Sequence, residues 1–236
     1  MTNPAQDITW EENGTAQTAR YLALRSVALP SRVTVLSDAT PAQAFGLLSQ
    51  GTAILWRGDY PAARRLLDVI RRRFDSRRTA APSTNPADAF NAYRMSQAQR
   101  ARILGLLLVP LAGDRIDLER GQDVAAALHE ALGELPSHSL IPLVDLLALV
   151  SAHEWRKNGV PIRALDGAAI HPHFGVFPPT RQDYVDLVAS APLPVTDLAF
   201  DLGVGSGVLS AVLLHRGVSK IVATDNAPRA LACARD

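Results

Sequence analysis

Apolar positions along this chain recur with two different periods, and the switches between them mark out the expected elements. Tyr21, Leu22, Leu24, Val27 and Ala28 form a stripe of helical spacing across Thr15 to Leu29, which Pro30 ends, so a helix is expected there. The β-branched run RVTVLS that follows reads as a strand. Asp38 or Thr40 can cap the next helix, with Pro41 at its first position and Gly51 just past its end. TAILW, Thr52 to Trp56, has no polar break and reads as a buried strand, after which Pro61 opens a helix to about Phe74.

The next stretch, Asp75 to Phe90, is rich in Ser, Thr, Pro and Ala without an apolar period, and is expected to be a linker or loop. Periodicity returns with a helix from Tyr93. The run ILGLLLVPL, Ile103 to Leu111, then predicts a strand turned back at Gly113-Asp114 to pair with RIDL. Helices are expected over Asp123 to Leu132 and over Ser139 to Lys157, the second closed by Asn158-Gly159.

Past Gly159 the chain becomes rich in Gly and Pro, and the domain boundary is placed there. RQDYVDLVASA then reads as a helix, DLAFDLG as a strand, GVLSAVLLHRG as a helix, KIVATD as a strand and APRALACARD as the start of a helix. Strands and helices alternating through short links are the pattern of a parallel, doubly wound sheet. No internal repeat is visible.

Composition narrows the function classes. An apolar fraction of 47% with 20% charged residues is that of a folded globular chain, which excludes a disordered or fibrous reading. The net charge of +1 gives no overall field toward nucleic acid or an anionic membrane. One cysteine, Cys233, excludes an internal disulfide and a multi-cysteine zinc site, and fits a reducing compartment. The acidic N-terminus, with Asp7, Glu11 and Glu12, does not resemble a signal peptide, and the most apolar windows are shorter than the ~20 residues that span a bilayer. A cytoplasmic location and no membrane partner are expected.

The most informative stretch is FDLGVGSGVLS, Phe200 to Ser210. Asp201, Gly203, Gly205 and Gly207 make D-x-G-x-G-x-G where the strand turns into the helix. Glycine there permits a tight turn, lets the backbone approach a ligand, and lets the helix pack close. A dinucleotide loop, G-x-G-x-x-G, would need glycine where Val208 stands, and a phosphate loop would need Gly-Lys-Ser/Thr. Asp225, at the end of the next strand, is placed to accept hydrogen bonds from both hydroxyls of an unphosphorylated ribose.

With these residues in view, DLAFDLGVGSGVLSAVLLHRGVSKIVATD resembles the first motif and following acidic residue of the class I S-adenosylmethionine-dependent methyltransferases. HPHFGVFPPTRQDYVDLVA is similar to the segment before that motif in the methyltransferase-small group, which includes release-factor glutamine and ribosomal RNA guanine methyltransferases. The resemblance covers about Gly159 to Asp236. It implies an α/β fold in which a helix-rich, mixed α/β N-terminal domain (1–158), with a possible part in substrate recognition, precedes the first part of a Rossmann-like methyltransferase domain (159–236). It implies S-adenosyl-L-methionine as cofactor, with Asp201, Gly203, Gly205, Gly207, Asp225 and Asn226 binding it, Asp201 near its methionine amino group. It also makes Phe177, Pro179 and Thr180 candidates for its methionine end.

The implied acceptor is an amine or amide nitrogen, of an RNA base or of a protein glutamine. In the amino-methylating relatives an Asn-Pro-Pro-Tyr-like tetrapeptide after the fourth strand grips that nitrogen. No such tetrapeptide occurs here; Asn85-Pro86-Ala87 and Pro178-Pro179 are not substitutes. Two parallel strands also leave a sheet with an open edge. The expectation is therefore a fragment or truncated form of a longer enzyme, with a non-catalytic cofactor- or RNA-binding fragment as the alternative and an NAD-dependent oxidoreductase a more distant one.

Other features read as structural. Arg64, Arg65, Arg71, Arg72, Arg73, Arg77 and Arg78 could grip a nucleic-acid backbone, but Leu66, Leu67, Ile70 and Phe74 supply an opposite apolar stripe and no aromatic residue interleaves with the charge, so a solvated helix face is expected. HEWRK at His153 has Lys157 where a zinc helix needs histidine. His171 and His173 lack an evident third ligand, and His215 suits the carbonyl end of its helix. Metal binding is not expected.

Overall fold

A computed structural model describes residues 6–24, 28–76 and 85–236. The chain is α/β, with eight helices among the described residues, and divides into two compact units at Ala148/Leu149.

The first unit is built on a mixed sheet in the order β1-β2-β7-β5-β4-β3, with β6 paired to β5. Its strands are β1 (Gln6–Glu12), β2 (Thr15–Tyr21), β3 (Arg32–Leu36), β4 (Thr52–Trp56), β5 (Leu107–Ala112), β6 (Arg115–Ile116) and β7 (His138–Pro142). Its helices are α1 (Pro41–Ser49), α2 (Tyr60–Ser76), α3 (Pro86–Leu104) and α4 (Ala125–Leu132), and α5 (Leu143–Asn158) runs through the division between the units. β1 also comes into contact with β3, at the far end of the strand order. One cluster accordingly collects Ile8, Tyr21, Leu55, Leu108 and Leu140, with Val33 and Val35 against it.

Several expected elements take the positions read from the sequence. Thr40 caps α1 by accepting the Gln43 N–H, Pro41 is at the helix start, and Gly51 follows with φ +82°. Every residue of β4 is buried, and β5 and β6 form the expected antiparallel pair.

The helix expected over Thr15 to Leu29 is instead strand β2, antiparallel to β1, with residues 25–27 outside the described residues. The cause is the Asn13-Gly14 turn. Asn13 at φ +53° and Gly14 at φ +74° give a two-residue hairpin loop, which sets Glu12 opposite Thr15. Ala19, Tyr21 and Ala23 then alternate into the core, a period of two that the helical-looking Leu22 and Leu24 obscure.

Three further expectations are corrected. The linker assigned to Asp75–Phe90 ends earlier: residues 77–84 lie outside the described residues, and α3 begins at Pro86, capped by Asn85 accepting the Ala87 N–H at 3.1 Å. Ile103 and Leu104 belong to this helix rather than to the next strand, which starts at Leu107. The helix expected from Ser139 starts at Leu143, because His138 to Pro142 pair antiparallel with β5. Buried Asp145 in α5 accepts the Leu24 N–H at 3.1 Å, so the acid in that apolar helix fixes the exit of β2.

The second unit carries a short hairpin, β8 (Val160–Pro161) with β9 (Ala169–Ile170), around a 3-10 turn at Arg163–Leu165. Helix α6 (Asp183–Ser190) precedes strand β10 (Ala199–Leu202), helix α7 (Val208–His215), strand β11 (Ile221–Thr224) and helix α8 (Pro228–Arg235). β10 and β11 are parallel, with Asp201 opposite Ala223. Val160, Ile162, Val185, Val208 and Val212 form the core beneath α6 and α7. Phe200 and Leu202 in β10 are 65% and 79% exposed, so alternate side chains of this strand point away from that core. No helix among the described residues is long and apolar enough to cross a membrane.

Candidate cofactor site

Strand β10 ends at Leu202, and the chain turns into α7 through Gly203, Gly205 and Gly207, whose φ values are +87°, +54° and +80°. All three lie in the left-handed region, which a side chain makes costly. Their surroundings differ. A Cβ at Gly203 would meet nothing within 4 Å and one at Gly205 only the Gly203 carbonyl at 3.9 Å, so the loop leaves open space on that side. A Cβ at Gly207 would come within 3.3 Å of the Ala234 Cα, because α8 packs against the loop.

The two acids stand at the ends of the two parallel strands. Asp225 Oδ2 accepts the Gly205 N–H at 3.0 Å, and its Oδ1 accepts the Ala227 N–H at 2.9 Å. These backbone bonds, Ala227 first, hold its carboxyl below the ordinary aspartate range, so it is ionised at neutral pH. A carboxylate has about four acceptor positions, more than these backbone bonds use, so capacity remains for a diol. Asp201 is 8% exposed and accepts the Ser210 hydroxyl at 2.6 Å. Asn226 beside Asp225 is exposed.

Ser210 was not singled out from the sequence. Its position in the first turn of α7, nine residues after a strand-end acid, is the signal that points to it. Gly203 and Val204 each donate to the Thr224 carbonyl, at 2.8 and 2.9 Å, which fastens the loop to the end of β11.

The segment that carries the upstream candidates meets α8 through their neighbours Phe174 and Val176. Val176 packs with Ala230 and Cys233 of α8, and the Arg229 guanidinium lies 5.5 Å over the Phe174 ring. Phe177 is 67% exposed, Pro179 is buried, and Thr180 is exposed, its N–H donating to the Pro178 carbonyl at 2.8 Å. Helix α8 therefore touches both the glycine loop, at Gly207, and the segment that carries Phe177.

The histidines and the cysteine have local partners. His171 Nδ1 is 2.7 Å from the Arg156 carbonyl, His173 Nε2 is 2.7 Å from Asp236, and His215 is 3.4 Å from Asp166. Buried Cys233 accepts the His173 N–H at 3.3 Å. No group of three potential ligands able to hold a metal ion occurs among the described residues.

Neither a protein-family model nor a curated protein matches the chain.

Proposed function

We propose that the second unit binds S-adenosyl-L-methionine and that the chain belongs to an enzyme methylating an amine or amide nitrogen of an RNA base or a protein glutamine. The observation that carries this reading is the pairing of Asp225 with the glycine loop. An ionised carboxylate at the end of the second parallel strand accepts the Gly205 N–H and keeps acceptor capacity for a ribose. Space beside Gly203 and Gly205, where any side chain would intrude, fits the approach of an adenosine to bare backbone.

In this reading Asp225 and Asn226 hold the adenosine end and the backbone of Gly203, Gly205 and Gly207 lines it. Asp201, oriented by Ser210, faces the methionine amino group, and Phe177, Pro179 and Thr180 border the methionine end. The cofactor supplies an electrophilic methyl group. Photocrosslinking of radiolabelled S-adenosylmethionine to the full chain, followed by peptide mapping, tests this. Label in peptides carrying residues 171–180 or 199–226, competed by the unlabelled cofactor, is the expected result. Label confined to residues 6–148, or not competed, would contradict it.

A further inference from the structure

Asp201 and Ser210 form a pair that the glycine loop does not need for its own shape. Asp201 lies in β10 between Phe200 and Leu202, whose side chains are exposed, so alternation along the strand turns the acid to the other face, toward α7. There it is 8% exposed, and the Ser210 hydroxyl, in the first turn of α7, donates to its Oδ2 at 2.6 Å. That hydroxyl is the one hydrogen-bond donor, and no cation forms an ion pair with Asp201, among the described residues. The loop is fastened by other bonds, from Gly203 and Val204 to the Thr224 carbonyl and from Gly205 to Asp225. Helix α7 starts from Gly207 without a side-chain cap and packs through Val208 and Val212, so the hydroxyl is not what seats it either.

A buried acid with a single donor has acceptor positions to fill, and burial makes leaving them empty costly. A cationic group of a ligand fills them with charge-assisted bonds. We infer that Ser210 is a positioning residue that sets ligand specificity. By holding Oδ2 against α7 it leaves Oδ1 as the oxygen presented to the ammonium of the cofactor's amino-acid end. The site then prefers S-adenosylmethionine to an adenosine thioether that lacks that end. Ser210 touches the cofactor only through Asp201. The inference rests on the cofactor reading above and adds what decides between ligands that share the same adenosine.

The test is calorimetric titration of the full chain with S-adenosylmethionine and, separately, with 5′-methylthioadenosine, which has the adenosine and the sulfur but no amino-acid end. The parent is expected to prefer S-adenosylmethionine. Ser210→Ala is expected to weaken that ligand by about tenfold, the scale of one hydrogen bond to a charged group, and to leave methylthioadenosine as in the parent. Ser210→Thr and Ser210→Val have nearly the same shape and differ by the hydroxyl. Thr is expected to keep the parent's preference and Val to lose it. Thermal unfolding of each variant checks that the fold persists. A parent that binds neither ligand would overturn the cofactor reading and this inference with it. Three results would overturn this inference alone: a parent that binds both ligands equally, folded Ala and Val variants that keep the parent's preference, or variants that lose both ligands alike.

Discussion

Asp225 accepts the Gly205 N–H at 3.0 Å, so the acid at the end of one strand holds the glycine loop at the end of its neighbour. Removing that acceptor frees the loop as well as any ligand contact. Asp225→Asn keeps the shape but offers one oxygen where the carboxylate offers two, so Gly205 and Ala227 can no longer both be satisfied. The expected outcome is a shifted, broadened Gly205 amide resonance with the rest of the fold retained.

The same acid sets a pH dependence. Its carboxyl is held below the ordinary aspartate value of about 3.9 by bonds that favour the charged form. A depressed pKa in the folded state means that the stabilisation is complete above the ordinary value and is lost as pH falls through the lowered one. The Gly205 amide shift is thus expected to stay constant from neutral pH down to the ordinary aspartate range and to move only below it. Movement near neutral pH would contradict this account.

Gly203 and Gly207 have similar backbone angles but different neighbours, which separates two costs. Gly203→Ala meets open space and carries only the left-handed penalty of about 1–2 kcal/mol. Gly207→Ala carries that penalty and also pushes a methyl against the Ala234 backbone. Chemical denaturation should therefore show the larger loss for Gly207→Ala. By contrast, Gly203→Ala is expected to weaken cofactor binding with the smaller loss of stability.

In the first unit, Arg57 donates to both oxygens of Glu12, through Nε at 2.9 Å and Nη2 at 2.8 Å, tying the end of β1 to the end of β4. The bonds from Arg57 hold the Glu12 carboxyl below its ordinary range, with the Trp10 indole N–H adding to them. Arg57→Ala is expected to cost about 1–2 kcal/mol at neutral pH, since it leaves a half-buried carboxylate with fewer donors. Because the folded pKa is lowered, the difference from the parent is present above the ordinary glutamate range and shrinks as pH falls below it. Urea unfolding at neutral and acid pH measures both.

Much of the second unit was legible because short-range chemistry decides it. Glycines at Gly203, Gly205 and Gly207 announce a turn that no other residue makes cheaply, and the strands on either side are apolar enough to be read alone. The first unit was harder where partners far along the chain decide. Tyr21, Leu22 and Leu24 have helical spacing, yet the Asn13-Gly14 turn and the pairing with β1 and β7 make this a strand. The run at Ser139 took the helical pattern of the residues after it, and only pairing with β5 marks it as strand β7. Ser210 is marked in the sequence only by its spacing from Asp201, a weak signal for one hydroxyl in an apolar helix until the fold sets the two side chains together.

The central claim is tested most directly by calorimetric titration of the full chain with S-adenosylmethionine, run beside a titration with a nicotinamide dinucleotide. Saturable, one-site binding of S-adenosylmethionine is predicted, abolished by Asp225→Ala, with no saturable heat from the dinucleotide. Absence of S-adenosylmethionine binding by the folded chain, binding that survives Asp225→Ala unchanged, or saturable binding of the dinucleotide instead would contradict it.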